Sequence, residues 1–144
     1  MVEQDTIRLL RECDAGVKMA ISSIDDVMQY VSDGDFKQKL SRCRDEHSKL
    51  DGDIQSRLDR FGDDGKEPQP IAKGMSWMKT NIMLIINESD ATIADLMTDG
   101  CNMGVKTLNK YLNKYEAADE VSKDIAKRLI NLEDRLAVDV RQYL

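Results

Sequence analysis

One histidine and four acidic residues near apolar positions are the side chains whose types could bind a metal ion. They are Asp14, Glu46, His47, Asp95 and Glu133. Di-iron and di-manganese sites in helical bundles take one Glu from each of two helices and a Glu-x-x-His motif from each of the other two. Neither motif is present, because Arg44 stands three residues before His47 and Leu136 stands three after Glu133. A complete di-metal ligand set is therefore not expected.

Positions along the helices also separate these candidates. Counting back from the first predicted turn places Glu46 level with Ile21, which is seven residues or ~10 Å from Asp14 along the helix axis. Counting from the second turn places Glu133 level with Cys101. Ligand bonds of ~2 Å cannot bridge such offsets. We therefore expect that the protein binds no metal. The alternative is that it binds iron or manganese.

Cys43 and His47 lie one helical turn apart and could share a zinc ion, but structural zinc usually takes four Cys or His ligands. Cys13 maps ~10 Å or more away from His47. A nucleophilic Cys–His pair would need an exposed, activated thiol, and Cys43 lies on an apolar stripe. We predict that Cys43 is a core residue. We also predict that His47 lies inside the bundle or at its edge, at the level of Ala20–Ile21, with a hydrogen-bond partner and no metal.

The first half of the chain predicts two helices, because apolar residues recur at spacings of three and four. Residues 6–33 form the first, which Asp5 or Thr6 is expected to cap and Gly34 to end through a positive φ. Asp35 is expected to cap the second helix, residues 35–61. The stripe of this second helix is Phe36, Leu40, Cys43, His47, Leu50, Ile54, Leu58 and Phe61.

The second half predicts a break, a short helix and another hairpin. Two glycines and two prolines interrupt residues 62–70, and residues 71–87 form the short helix. Ser89 and Asp119 are among the expected N-caps of helices over residues 91–115 and 119–144. The expected buried residues of these helices are Ile93, Leu96, Met97, Met103, Leu108, Leu112, Val121, Ile125, Leu129, Leu132, Leu136, Val140 and Tyr143.

These elements predict an all-α fold, a single helical-bundle domain over residues 1–144. Hairpin 1 covers about 5–61, a connection covers about 62–88, and hairpin 2 covers about 89–144. A bundle helix of ~28 residues is ~42 Å long, which a connection of this length can travel. Long connections are typical of crossovers. The helix over residues 91–115 should therefore be parallel to that over residues 35–61.

The stretch CDAGVK at Cys13–Lys18 is nearly repeated as CNMGVK at Cys101–Lys106. Each copy lies in the first helix of its hairpin, which two pseudo-equivalent hairpins would explain. Alternatively, Gly16 and Gly104 simply let neighbouring helices approach closely. Both interpretations can hold together.

Three stretches, TIADLMTDGCNMGVK, DAGVKMAI and LEDRLAVDVRQYL, resemble an uncharacterised family of small ferritin-like four-helix proteins of the domain-of-unknown-function class. The resemblance extends over nearly the whole chain. It implies a left-handed bundle of two antiparallel hairpins, with a long crossover between the second and third helices. In the wider superfamily such bundles often hold two iron or manganese ions.

Composition restricts the partners. The net charge of −6 and the absence of a basic cluster argue against nucleic acid, and neither a signal peptide nor a membrane span is expected. Three widely spaced cysteines indicate reduced thiols in a cytoplasmic protein. The apolar residues of Met75–Ile86 extend beyond one helical stripe, which predicts a homodimer interface there. An unknown protein partner is also possible.

The sequence therefore predicts a non-enzymatic helical binding or assembly module of unknown ligand. The alternative is a divergent metal-binding ferritin-like oxidoreductase or metal-storage protein. Enzymatic activity is left open, with its absence favoured, because no phosphate-binding loop or nucleophile elbow occurs.

Overall fold

The computed structural model describes residues 2–66 and 89–144, which form four long α-helices. They are α1 (Val2–Met28), α2 (Gly34–Arg60), α3 (Asp90–Lys114) and α4 (Glu120–Asp139), and a short 3₁₀ helix, Arg141–Tyr143, follows. No strand occurs in these two ranges, so the predicted all-α class is confirmed. The predicted helix over residues 71–87, and with it the surface Met75–Ile86, lies outside the described residues.

Contacts at the two ends of the bundle establish the helix directions. The backbone N–H groups of Ser32 and Asp33 donate to the Asp90 carboxylate, over 2.8 and 2.9 Å, so α3 begins where α2 begins. At the other end, Arg57 near the end of α2 pairs with Asp119, which precedes α4, at 3.0 Å. The predicted parallel orientation of α2 and α3 is therefore confirmed.

The buried apolar residues divide into two clusters along the bundle. One cluster includes Leu50 of α2 and Leu129 of α4. The other includes Cys43 of α2 and Leu136 of α4. His47 and Glu133 are both buried, and each lies between those two cluster members in its own helix. A polar layer therefore separates the two apolar halves of the core.

The predicted cap of α1 is wrong, because Asp5 and Thr6 lie inside the helix, which begins at Val2. Their side chains bond across the bundle instead. The Asp5 carboxylate accepts from the N–H of Ala117 at 3.1 Å, and the Thr6 hydroxyl accepts from the N–H of Asp119 at 2.8 Å. Residues with cap chemistry therefore connect the start of α1 to the turn before α4.

The turn between α1 and α2 also differs from expectation. Gly34 is the first residue of α2, and Asp33 rather than Asp35 caps that helix by accepting from the N–H of Phe36. The predicted positive φ at Gly34 is wrong; positive φ values occur after α2, at Gly62 (65°) and Gly65 (87°). The predicted caps Ser89 and Asp119 are confirmed.

Two residues predicted to be buried are exposed. Met103 is 46% exposed and Val121 is 50% exposed. Met103 lies two residues after buried Cys101, which is ~200° around the helix. Val121 precedes Ser122, which begins the buried face of α4. No helix in the described ranges combines the length and apolar character that a membrane span requires.

Candidate functional site

A buried pair formed by His47 of α2 and Glu133 of α4 is the centre of the polar layer. His47 Nε2 lies 3.3 Å from Glu133 Oε1, and His47 Nδ1 lies 2.8 Å from the carbonyl oxygen of Cys43. The His47 side chain is fully buried, and that of Glu133 is 11% exposed. A carbonyl oxygen can only accept, so Nδ1 carries a proton and donates to Cys43.

The environment of His47 favours its charged form. Burial alone would lower the pKa of His47, but side-chain hydrogen bonds with the Cys43 sulfur, 3.4 Å from Nδ1, and with Glu133 outweigh it and raise that pKa to about 10. His47 is therefore an imidazolium at neutral pH, and Nε2 donates to the Glu133 carboxylate. This arrangement is a buried ion pair linking α2 to α4.

Gly104 of α3 lies directly against the Glu133 side chain. A Cβ atom built on Gly104 would lie 3.5 Å from Glu133 Cδ and 3.8 Å from Oε1. Gly16 of α1 similarly adjoins Leu129 of α4, 3.5 Å from a Cβ at that position. Both glycines of the repeated stretch therefore lie against α4, at distances where an added Cβ would make ordinary van der Waals contact.

We expect Gly104→Ala to raise the free energy of unfolding by about 0.5–1 kcal/mol, because alanine favours a helix and 3.5 Å is an ordinary contact. Gly104→Val should instead push the Glu133 carboxylate aside. The matched position is Gly52 of α2, where an added Cβ meets nothing within 4 Å. In urea unfolding, Gly104→Val should cost about 1–2 kcal/mol more than Gly52→Val. Equal effects at the two positions would show that Gly104 does not restrict Glu133.

Asp14 of α1 is fully buried and holds the chain that leaves α2. Its carboxylate accepts from the side-chain amide of Gln55 at 2.6 Å and from the backbone N–H of Lys66 at 2.9 Å. Lys18 Nζ lies 3.0 Å away. Gly65 passes so close that a Cβ there would clash with the carboxylate. Asp14 therefore fastens residues 62–66 to α1.

The remaining candidate ligands, Glu46 and Asp95, lie apart from the pair. Glu46 forms a surface ion pair with Arg135, whose Nη1 is 3.1 Å from Oε2, and Asp95 is exposed. Of the five candidates the structure thus joins only His47 and Glu133. Within residues 2–66 and 89–144, no group of three or more His, Cys, Asp or Glu is arranged to hold a metal ion.

The cysteines are three free, buried thiols. Burial, reinforced by the nearby charges of Glu12 and Asp14, raises the pKa of Cys13 to about 12. Burial and the Glu133 carboxylate likewise raise the pKa of Cys101. A thiol with a raised pKa is a poor nucleophile. We therefore interpret these two buried cysteines as core residues, not as reactive thiols.

A groove between α1 and α3 has a volume of about 370 Å³. Small residues leave this space open, among them Gly16 and Ala20 of α1 and Gly100 and Gly104 of α3. Glu133 and other residues complete a mainly apolar wall. Glu12, Lys66 and Tyr111 lie at one end, and Ile24 and Met97 lie at the other.

The contact between His47 and Glu133 was not predicted from the sequence. A signal for it existed: Glu133 falls between Leu129 and Leu136 at spacings of four and three, so a carboxylate occupies a core position of α4. His47 occupies the corresponding kind of position in α2. A buried acid and a buried base in one small domain are expected to pair.

No family model matches the chain, and no curated protein matches its sequence. Among solved structures, the crystal structure of a conserved hypothetical protein from Mycobacterium tuberculosis is similar, with a TM-score of 0.73. The two chains are 14% identical, and the match covers 100% of each. At this identity the likeness shows a shared fold alone.

Proposed function

We propose that this protein is a non-enzymatic helical binding or assembly module. The observation that supports this is the internal pairing of its acid–base groups. Glu133 neutralises His47, and Asp14 holds the chain that leaves α2. Recruiting either site for catalysis or metal binding would break a buried polar contact, at a cost of about 3–5 kcal/mol for an ion pair.

The scaffold we propose is ferritin-like, with residues 62–88 forming a crossover that contains a short helix. The parallel directions of α2 and α3 support this, because Lys66 and Ser89 then lie towards opposite ends of the bundle. We place the protein in the cytoplasm, which the three free thiols support.

Assembly as a homodimer, through a surface that includes Met75–Ile86, is the concrete form of this proposal. Light scattering at micromolar concentrations should give twice the monomer mass for the wild type. The double variant Trp77→Glu with Met83→Glu should be monomeric, because two charges in an apolar interface are costly to bury. A control with Val121→Glu and Val138→Glu adds equal charge at exposed apolar positions of α4 and should stay dimeric.

A monomeric wild type over that concentration range would end the dimer proposal. A double variant that stays dimeric would show that the dimer interface lies on another part of the surface. The alternative function, a metal-binding oxidoreductase or storage protein, predicts stoichiometric iron or manganese by elemental analysis of protein purified without added metal. That result would overturn the non-enzymatic proposal.

A further inference from the structure

One end of the α1–α3 groove lies where the described chain stops after α2. Lys66 lines the groove, its backbone N–H donates to Asp14, and its Nζ lies 2.6 Å from Glu12 Oε1. The turn after α2 thus directs the chain towards α1, at the groove end formed by Glu12 and Tyr111.

The chain resumes beyond the opposite end of the groove. Asp90, at the start of α3, accepts from the backbone of Ser32 and Asp33, which follow α1. From Glu12 to Met28, where α1 ends, is 16 residues, or ~24 Å along the helix axis. The predicted helix over residues 71–87 would extend ~26 Å, and residues 67–70 add to this reach. A helical path along the groove therefore spans the gap.

The sequence of this segment complements the groove. Ile71, Met75, Met78, Ile82 and Ile85 recur at spacings of four and three, which is one apolar helical stripe. The groove wall is mainly apolar and is formed largely by small residues and methionines, against which such a stripe can pack closely.

We propose that the α1–α3 groove is the docking surface for this chain's own residues 67–88, which lay that stripe along it. The proposal rests on the crossover proposed above. Both ends of the segment are covalently fixed beside the groove, so its effective concentration there is in the millimolar range or above. A second copy at micromolar concentration would not compete. The face bearing Trp77 and Met83 would then be left for the homodimer.

Limited proteolysis of the native protein tests this docking. Trypsin can cut the segment after Lys73 and Lys79, and mass spectrometry follows both cuts. Met103, which lines the groove and is 46% exposed, can take a charge with little effect on the bundle. We expect Met103→Glu to speed both cuts about tenfold, because weaker docking opens the segment more often. Ala20→Glu, at a second groove position, should act in the same direction.

Val138→Glu is the matched control, since Val138 is 50% exposed on α4 and does not line the groove. Its cleavage rates should equal those of the wild type, and circular dichroism should show equal helicity in all variants. Equal rates in Met103→Glu, Ala20→Glu and Val138→Glu would overturn the proposal. Wild-type protection that grows with protein concentration would also overturn it, by assigning the groove to a second copy. The light-scattering result stands independently, so failure of the dimer and failure of the docking are distinguishable.

Discussion

Glu133→Leu is expected to lower the free energy of unfolding by about 3–5 kcal/mol, because it leaves the fully buried His47 without its anion. His47 must then either hold an unpaired charge or lose its proton inside the core. Urea unfolding followed by circular dichroism at pH 6, where an unfolded histidine is mostly protonated, measures the loss. The result would identify the polar layer as a main constraint on how α2 and α4 pack.

Two controls separate the pair from ordinary packing. Replacing both partners, His47→Leu with Glu133→Leu, should recover most of the loss, since apolar residues of similar volume often replace a buried ion pair without cost. Arg135→Ala removes an exposed ion pair between the same two helices and should cost about 1 kcal/mol or less. If Glu133→Leu costs no more than Arg135→Ala, the pair is not the buried link described above.

The second large effect is a dependence of stability on pH that arises from His47. The pKa of His47 is about 10 in the folded protein, whereas the ordinary pKa of histidine is 6.5. Because folding raises this pKa, the pair stabilises fully below pH 6.5, loses its contribution as pH rises, and contributes nothing above pH 10. Relative to His47→Gln, the wild type should lose about 4–5 kcal/mol of unfolding free energy across that window.

The titration of His47 can also be observed directly. It is the only histidine in the chain, so its imidazole proton signals in NMR need no further assignment. Their midpoint should lie near pH 10 in the wild type and should move down towards 6.5 in Glu133→Gln, which keeps an acceptor but removes the charge. A wild-type midpoint near 6.5 would contradict the ion pair, and stability would then show no slope assignable to His47.

Local patterns in the sequence were sufficient to predict the four long helices and most of their core faces. The stripe of α2 is buried from Phe36 to Leu58 as predicted, because a period of three to four residues is a property of one helix and needs no partner. The caps Ser89 and Asp119 were predictable for the same reason, since each bonds to an N–H three residues ahead.

Tertiary structure decided every feature in which a side chain had a choice of partner. Asp5 and Thr6 have the chemistry of a helix cap, but the nearby turn before α4 offers them unpaired N–H groups, and they bond there. Asp14 could have been a metal ligand, and the returning chain at Lys66 makes it an anchor. The type of a side chain determines which groups it can hydrogen-bond. The neighbours that the fold brings to it determine which of those groups it does bond.

The pair of His47 and Glu133 shows this division most clearly. The sequence by itself determined that a base and an acid each occupy an apolar stripe, because helical periodicity sets which face is buried. It did not determine that they meet, since they are 86 residues apart and periodicity says nothing about which helices are neighbours. The side-by-side packing of α2 and α4 brings them together, and the cost of burying either charge alone makes the pairing necessary.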